Sequence, residues 1–282
     1  MHKKHFILLL ITLCISNKIL LASSYPTHHK IKKNDYLLTQ KNYYYSYTTK
    51  VADIVTAPFK FNKKQWLLSA TIFSSSAVAY LIDTNINSWI QNNQSSLATN
   101  FGNIGYNLAH PVLLVPISTI TYSIGYFNKL PRVERVGITM FESLLISGAT
   151  IKGLKMITDR KRPSESKSNS DFDGPSFSLS EKSQSFPSGH SALAFATATS
   201  IAQEYKDNKA IVLTSYTIAT SVGLSRLFDN AHWLSDVIIG SAIGHFIAKY
   251  TYKKYSTIDL KNKTTIIPLL SNKIGMCIQK KF

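Results

Sequence analysis

Cysteine is scarce: the chain has two in 282 residues, Cys14 and Cys277. Cys14 falls in a stretch read below as a leader, which leaves Cys277 alone. A disulfide framework is therefore excluded, and no Cys/His cluster has zinc-site spacing. Acids are few as well, 15 against 32 Lys and Arg, for a formal net charge of +17. That surplus favours anionic partners, although a solvated basic surface accounts for it equally well. Long apolar runs are also missing. Most uncharged stretches are about 12 to 17 residues and diluted with Ser and Thr, short of the ~20 that a bilayer crossing needs. Mean hydropathy is −0.02.

What is present divides the chain into four parts. Residues 1–24 read as a signal peptide: a basic head through His5, an apolar run from Phe6 to Ile15, and small residues at Ala22-Ser23-Ser24. Residues 25–65 are polar, basic and tyrosine-rich, an irregular arm. Residues 66–255 carry helical patterns at 66–82, 136–157, 188–204, 210–224 and 236–250. The stretch 104–127 is broken by Gly105, Pro111 and Pro116. The tail, 256–282, alternates loosely and can form a short strand pair. The expected fold is all-α, an antiparallel helical bundle around one core. Crossings at 66–82, 104–127 and 136–152 behind a cleaved leader would leave Lys155 and Arg162 in the cytoplasm. The expectation is an exported, periplasmic, membrane-associated domain, with an integral inner-membrane protein as the alternative.

The chemistry is concentrated in three blocks. The first is Lys155, six residues, then Arg162-Pro163; the second is Pro187-Ser188-Gly189-His190. The third runs from Ser225-Arg226 to His232, with Asp236 four residues on. A phosphoryl group in transfer carries charge on its equatorial oxygens that fixed donors must match. Lys155, Arg162 and Arg226 are candidate cations, and arginine's planar fork suits two oxygens at once. Ser188 and Gly189 open a helix whose first amides can bind an anion. His232 is placed to attack phosphorus, with Asp236 on the same helical face taking the proton of its other ring nitrogen. His190 is placed to protonate the departing oxygen. Arg160 and Lys161 read as solvated charges, and His110 and His245 as core residues.

Taken together, these blocks resemble the phosphatidic acid phosphatase type 2/haloperoxidase superfamily over residues 140–250. The resemblance implies a helical fold and hydrolysis of a phosphomonoester or pyrophosphate through a phosphohistidine at His232. It implies no metal and no cofactor, with vanadate as an inhibitor. The expected partner is an anionic phosphorylated lipid or small phosphate ester at a membrane surface, not nucleic acid. The alternatives are a soluble periplasmic acid phosphatase, a vanadium haloperoxidase and a non-enzymatic basic protein docking on anionic surfaces. Phe172, Phe177 and Phe186 flank the second block and hint at an apolar ligand.

Overall fold

Short connections determine the architecture. The computed structural model describes residues 56, 62–176, 184–257, 264–270 and 274–280. Among these, the chain forms α1 (Lys63–Asn92), α2 (Ser96–Leu108), α3 (Pro111–Phe127), α4 (Pro131–Thr158), α5 (Gly189–Glu204), α6 (Lys209–Phe228) and α7 (Leu234–Thr257). A separate compact unit holds β1 (Thr264–Leu270) and β2 (Ile274–Lys280), paired antiparallel with Ile267 opposite Cys277. Except between α4 and α5, links of two to five residues join successive helices, which keeps neighbours side by side. Thus α1, α4 and α6 run toward one end of the bundle, and α3, α5 and α7 start from it. The side chains of Gln91 and Gln94, at the end of α1, donate to the carbonyls of Leu227 and Phe228 at the end of α6.

Helix α5 is the packing centre, touched by α4, α6 and α7. Its buried residues include Ala192, Ala194, Ala196, Ala198 and Ala202, small enough to let neighbouring backbones approach. Gly240 and Gly244 of α7 complete that seam. A Cβ on Gly240 would lie 2.3 Å from the Ser188 carbonyl oxygen, and one on Gly244 1.9 Å from that of Ala192. Leu114, Met140, Leu144, Leu193 and Val222 fill the adjoining core.

The all-helical expectation is met, with several changes of detail. The break within 104–127 falls at Ala109-His110, where α2 and α3 meet at 47°. Helix α1 continues past Ile82 to Asn92, and α4 begins at Pro131, inside what reads as a basic turn. The expectation that most uncharged runs are too short to cross a bilayer is corrected for two helices, and the integral alternative gains support. α1 and α6 are each long and apolar enough to span, and the α2–α3 pair adds a third candidate as a broken span. The sequence undercounts because serine and threonine interrupt these helices. Their hydroxyls donate to carbonyls four residues back, as Thr71 does to Leu67 and Ser75 to Thr71, so they expose no unpaired group. Trp66 and Trp89 are both exposed. Twenty-three residues apart, they are separated by roughly 35 Å of helix, the spacing of two membrane interfaces. Residues 1–24 and nearly all of 25–61 lie outside the described residues, as does Phe177.

Candidate active site

The end of α4 supplies the first cation. Lys155 lies on its last turn, 2% exposed, with Nζ donating to the Gln184 carbonyl at 2.6 Å. Asp159, at φ 39°, ends the helix in the left-handed conformation and turns the chain off axis. The next residues pair antiparallel with 171–173: Lys161 N–H donates to Asp171 O at 2.9 Å and Asp173 N–H to Asp159 O at 3.2 Å. The Arg162 carbonyl then accepts from Glu165 and Ser166, both at 3.0 Å, closing a turn around Pro163. Arg162 is half-buried, and its charge acts on both His190 and His232.

Ser188 caps α5. It is fully buried, and its Oγ accepts from the Ser191 hydroxyl at 2.8 Å and the Ser191 amide at 3.4 Å. Of the first amides of α5, those of Gly189 and His190 have no intrahelical acceptor and can bind an anion. Among the described residues, a Cβ on Gly189 would meet Ile151 at an ordinary 3.6 Å. The His190 ring lies 4.9 Å from that of Tyr106 and 6.2 Å from that of His110. Its buried Nε2 has no hydrogen-bond partner among the described residues. Burial, followed by the charges of Arg226 and His232, pushes the His190 pKa down to about 2.

Arg226, on the last turn of α6, is 1% exposed. It is braced by Asp229 at 2.8 Å, by Ser225 Oγ and by the Gly102 carbonyl, and stands 5.6 Å from the Tyr106 ring centre. His232 precedes α7 and is 2% exposed. Burial and the cations Lys155, Arg162 and Arg226 hold its imidazole well below the ordinary range, so it rests neutral. The structure therefore brings Lys155, Arg162, Ser188, Gly189, His190, Arg226, His232 and Asp236 to one end of the bundle. No group of three or more His, Cys, Asp or Glu side chains forms a metal site among the described residues.

Three expectations need correction. Asp236 does not take the His232 proton directly, since Nδ1 and Oδ2 are 3.8 Å apart. The carboxylate is already engaged: Oδ1 by Arg160 Nη1 at 2.5 Å, and Oδ2 by the Ser185 hydroxyl at 2.5 Å and the Trp233 amide at 2.9 Å. Ser185 Oγ stands between the two, 3.4 Å from His232 Nδ1. Burial raises the Asp236 carboxyl above its ordinary value, and Arg160, Ser185 and Trp233 oppose that rise. The second correction concerns Arg160, which is 1% exposed and not solvated; Lys161 does sit at the surface, paired with Asp173. The third is His110, which starts α3 beside the His190 ring and is not a core residue. His245 is half-buried and bonded to Thr199 and Tyr216, at 3.0 and 3.1 Å.

Sequence reasoning missed Ser185, Tyr106, Arg160 and Asp83 of α1. Asp83 is 1% exposed, with its Oδ2 accepting from Arg160 Nη2 at 2.9 Å. A signal for it existed, since Asp83 is the sole Asp, Glu, Lys or Arg between Lys64 and Lys129.

A lipid A 1-phosphatase from Porphyromonas gingivalis is 26% identical over 187 residues, 65% of this chain and 37% of that relative. One from Rhizobium etli is 29% identical over 128 residues, 45% of this chain and 54% of that relative. The chain thus spans about a third to a half of the length of the curated relatives it matches. In structure it is similar to a transmembrane PAP2-type phosphatidylglycerolphosphate phosphatase from Bacillus subtilis, with a TM-score of 0.52 and 21% identity. That match covers 67% of this chain and 96% of the other, and it concerns the fold. The PAP2 superfamily pattern matches residues 137–259, from the middle of α4 to just beyond α7. That segment, which holds all three sequence blocks, is a PAP2-superfamily domain.

Proposed function

We propose that this protein is a metal-independent phosphatase that removes a terminal phosphate from a lipid through a phosphohistidine at His232. The observation that carries the reading is the state of His232. A buried, neutral imidazole among Lys155, Arg162 and Arg226 has a free lone pair where a phosphate dianion would be held. In the proposed cycle, His232 attacks phosphorus while the cations and the first amides of α5 hold the equatorial oxygens. His190 rests neutral, and the arriving phosphate offsets the cations that depress it, so it can carry a proton to the departing oxygen. Water then attacks the phosphohistidine with His190 as base. The Ser185 hydroxyl, which donates to Asp236, can accept from His232 Nδ1–H, so the carboxylate stabilises through it the positive charge that grows on the imidazole.

An open apolar depression of about 430 Å³ lies beside Arg160 and Ser235, lined by Phe73, Ala77, Tyr80, Leu81, Phe172 and Phe186, and a lipid chain could lie against it. The names of the curated relatives make lipid A 1-phosphate a first candidate substrate, alongside phosphatidate and polyprenyl diphosphate.

Both ends of the bundle carry cations, Lys63, Lys64, Lys129, Arg132, Lys206 and Lys209 at one and Lys152, Lys155, Lys161 and Arg162 at the catalytic end. We propose that the catalytic end faces outward, where a lipid phosphate of the outer leaflet would reach it. Residue 62 is then cytoplasmic, and α1, the α2–α3 pair and α4 carry Lys155 across to the outer face.

The test is phosphate release in detergent micelles from lipid A, phosphatidate, a polyprenyl diphosphate and p-nitrophenyl phosphate. Wild-type protein is expected to prefer a lipid, to keep its rate in EDTA and to be inhibited by orthovanadate, with His232→Ala inactive. Activity lost in EDTA and restored by a divalent ion would overturn the metal-free reading.

A further inference from the structure

Helix α1 lies outside the PAP2 segment, yet it sends a carboxylate into the catalytic network. Asp83 lies on a helix apolar enough to span a bilayer, and an ionised side chain there is costly unless it is paired and functional. Its pairing is complete. Oδ2 accepts from Arg160 Nη2 at 2.9 Å and Ser235 Oγ at 2.5 Å, and Oδ1 from the Ser235 amide at 3.0 Å. Each nitrogen of Arg160 is engaged too. Nε donates to the Asn169 carbonyl at 2.9 Å, and Nη1 to Ser235 Oγ at 2.8 Å and Asp236 Oδ1 at 2.5 Å. The rings of Tyr80, Phe172 and Trp233 lie 5.1 to 5.5 Å from its guanidinium carbon. Four of its five N–H groups are engaged in this way and the residue is 1% exposed, which sets Arg160 apart from the half-buried Arg162 two residues on.

We propose that Asp83 is a positioning residue for the reaction, acting through Arg160 and Ser235 to hold the Asp236 carboxylate in place and to share the arginine's charge with it. This rests on the phosphohistidine reading, because Asp236 matters only if His232 is the nucleophile. Without Asp83, Arg160 would spend its whole charge on Asp236, leaving a weaker acceptor for the charge that grows on His232 during attack. Asp83 also anchors α7, since it binds both the amide and the hydroxyl of Ser235, next to Asp236.

Asp83→Asn removes the charge and keeps the shape. The expected result is a kcat lowered on the order of tenfold to a hundredfold with KM unchanged, since Asp83 does not touch phosphate. The acid limb of the pH–rate profile should also move. Asp236 is faced by Arg160 from the α4–α5 loop, Asp83 from α1 and His232 on its own segment, and His232 by Lys155, Arg162 and Arg226. Removing the one negative charge of Asp83 makes both groups easier to deprotonate, so the limb shifts to lower pH. Ser235→Ala deletes hydroxyl contacts but no charge, and should leave the limb where it is.

Rates are to be divided by the fraction of protein that traps radiolabelled phosphate as phosphohistidine, which survives alkali and is lost in acid, on alkaline denaturing quench. A purely structural role would lower that fraction and leave kcat per trapped site, and the limb, as in wild type; that outcome overturns the proposal. If Asp83→Asn does not fold, Arg160→Lys reads the same relay, because an ammonium reaches one carboxylate and not both. There a raised KM with kcat intact would make Arg160 a phosphate ligand and overturn the proposal. Failure of the wild-type protein to trap any phosphate would instead refute the phosphohistidine reading beneath it.

Discussion

The contact between α5 and α7 sets the distance between the two catalytic histidines, and Gly240→Ala perturbs it without touching either. The added Cβ would fall 2.3 Å from the Ser188 carbonyl oxygen, where ordinary contact begins at 3.4 Å. Backbone cannot rotate away as a side chain could, so α7 must retreat from α5 by roughly 1 Å. Overpacking of this kind costs about 1–3 kcal/mol. The larger effect is on geometry. Ser188 and His190 move with α5, and His232 and Asp236 with α7, so the retreat widens the phosphate cup; a 1 Å misplacement can cost on the order of 100-fold in rate. The assay is kcat for lipid phosphate release, beside Gly148→Ala and Gly153→Ala on α4. There an added Cβ meets nothing within 4 Å, and helix propensity is expected to make the change neutral or stabilising. A Gly240→Ala protein that folds with wild-type kcat would show that the α5–α7 seam does not set the site's dimensions.

Three more outcomes follow. The ordinary histidine value is about 6.5, and the folded values of His190 and His232 lie below it. Their neutral burial therefore contributes stability that is complete above that value and lost as pH falls. Detergent-phase melts of ligand-free protein should weaken below pH 6.5 by about 1.4 kcal/mol per pH unit for each histidine, and orthovanadate should reduce the slope. At the far end of the bundle, the Glu204 side chain is 2% exposed and is held by Arg135 at 2.5 and 2.8 Å and by Tyr252 at 3.1 Å. Glu204→Ala should cost about 2–3 kcal/mol, discounted because Arg135 is a third exposed, with kcat of the folded fraction unchanged. Ala77→Trp fills the apolar depression, and should raise KM several-fold for long-chain lipid phosphates while leaving p-nitrophenyl phosphate hydrolysis unaffected.

Local order was written plainly in the chain. Helical periodicity found α4 to α7 but left their ends up to seven residues short, and Pro111 marked the α2–α3 break while Gly105 and Pro116 lie inside helices, because local propensity is a property of neighbours and tertiary packing extends it. The three blocks could be assembled in advance, since the chemistry of holding a phosphate needs those cations and imidazoles. Tertiary structure decided which charge serves which purpose. Arg160 and Arg162 are two residues apart and chemically identical, yet the first is enclosed by Asp83, Asp236 and three aromatic rings while the second acts on the histidines. Nothing in the sequence beside them separates the two roles, because Asp83 reaches Arg160 from a helix 77 residues away. The His232–Asp236 spacing likewise allowed a direct bond that Ser185, from the far side of the fold, interposes itself against. Partner choice among buried charges is set by which helices pack together, and only the folded chain brings those helices into contact.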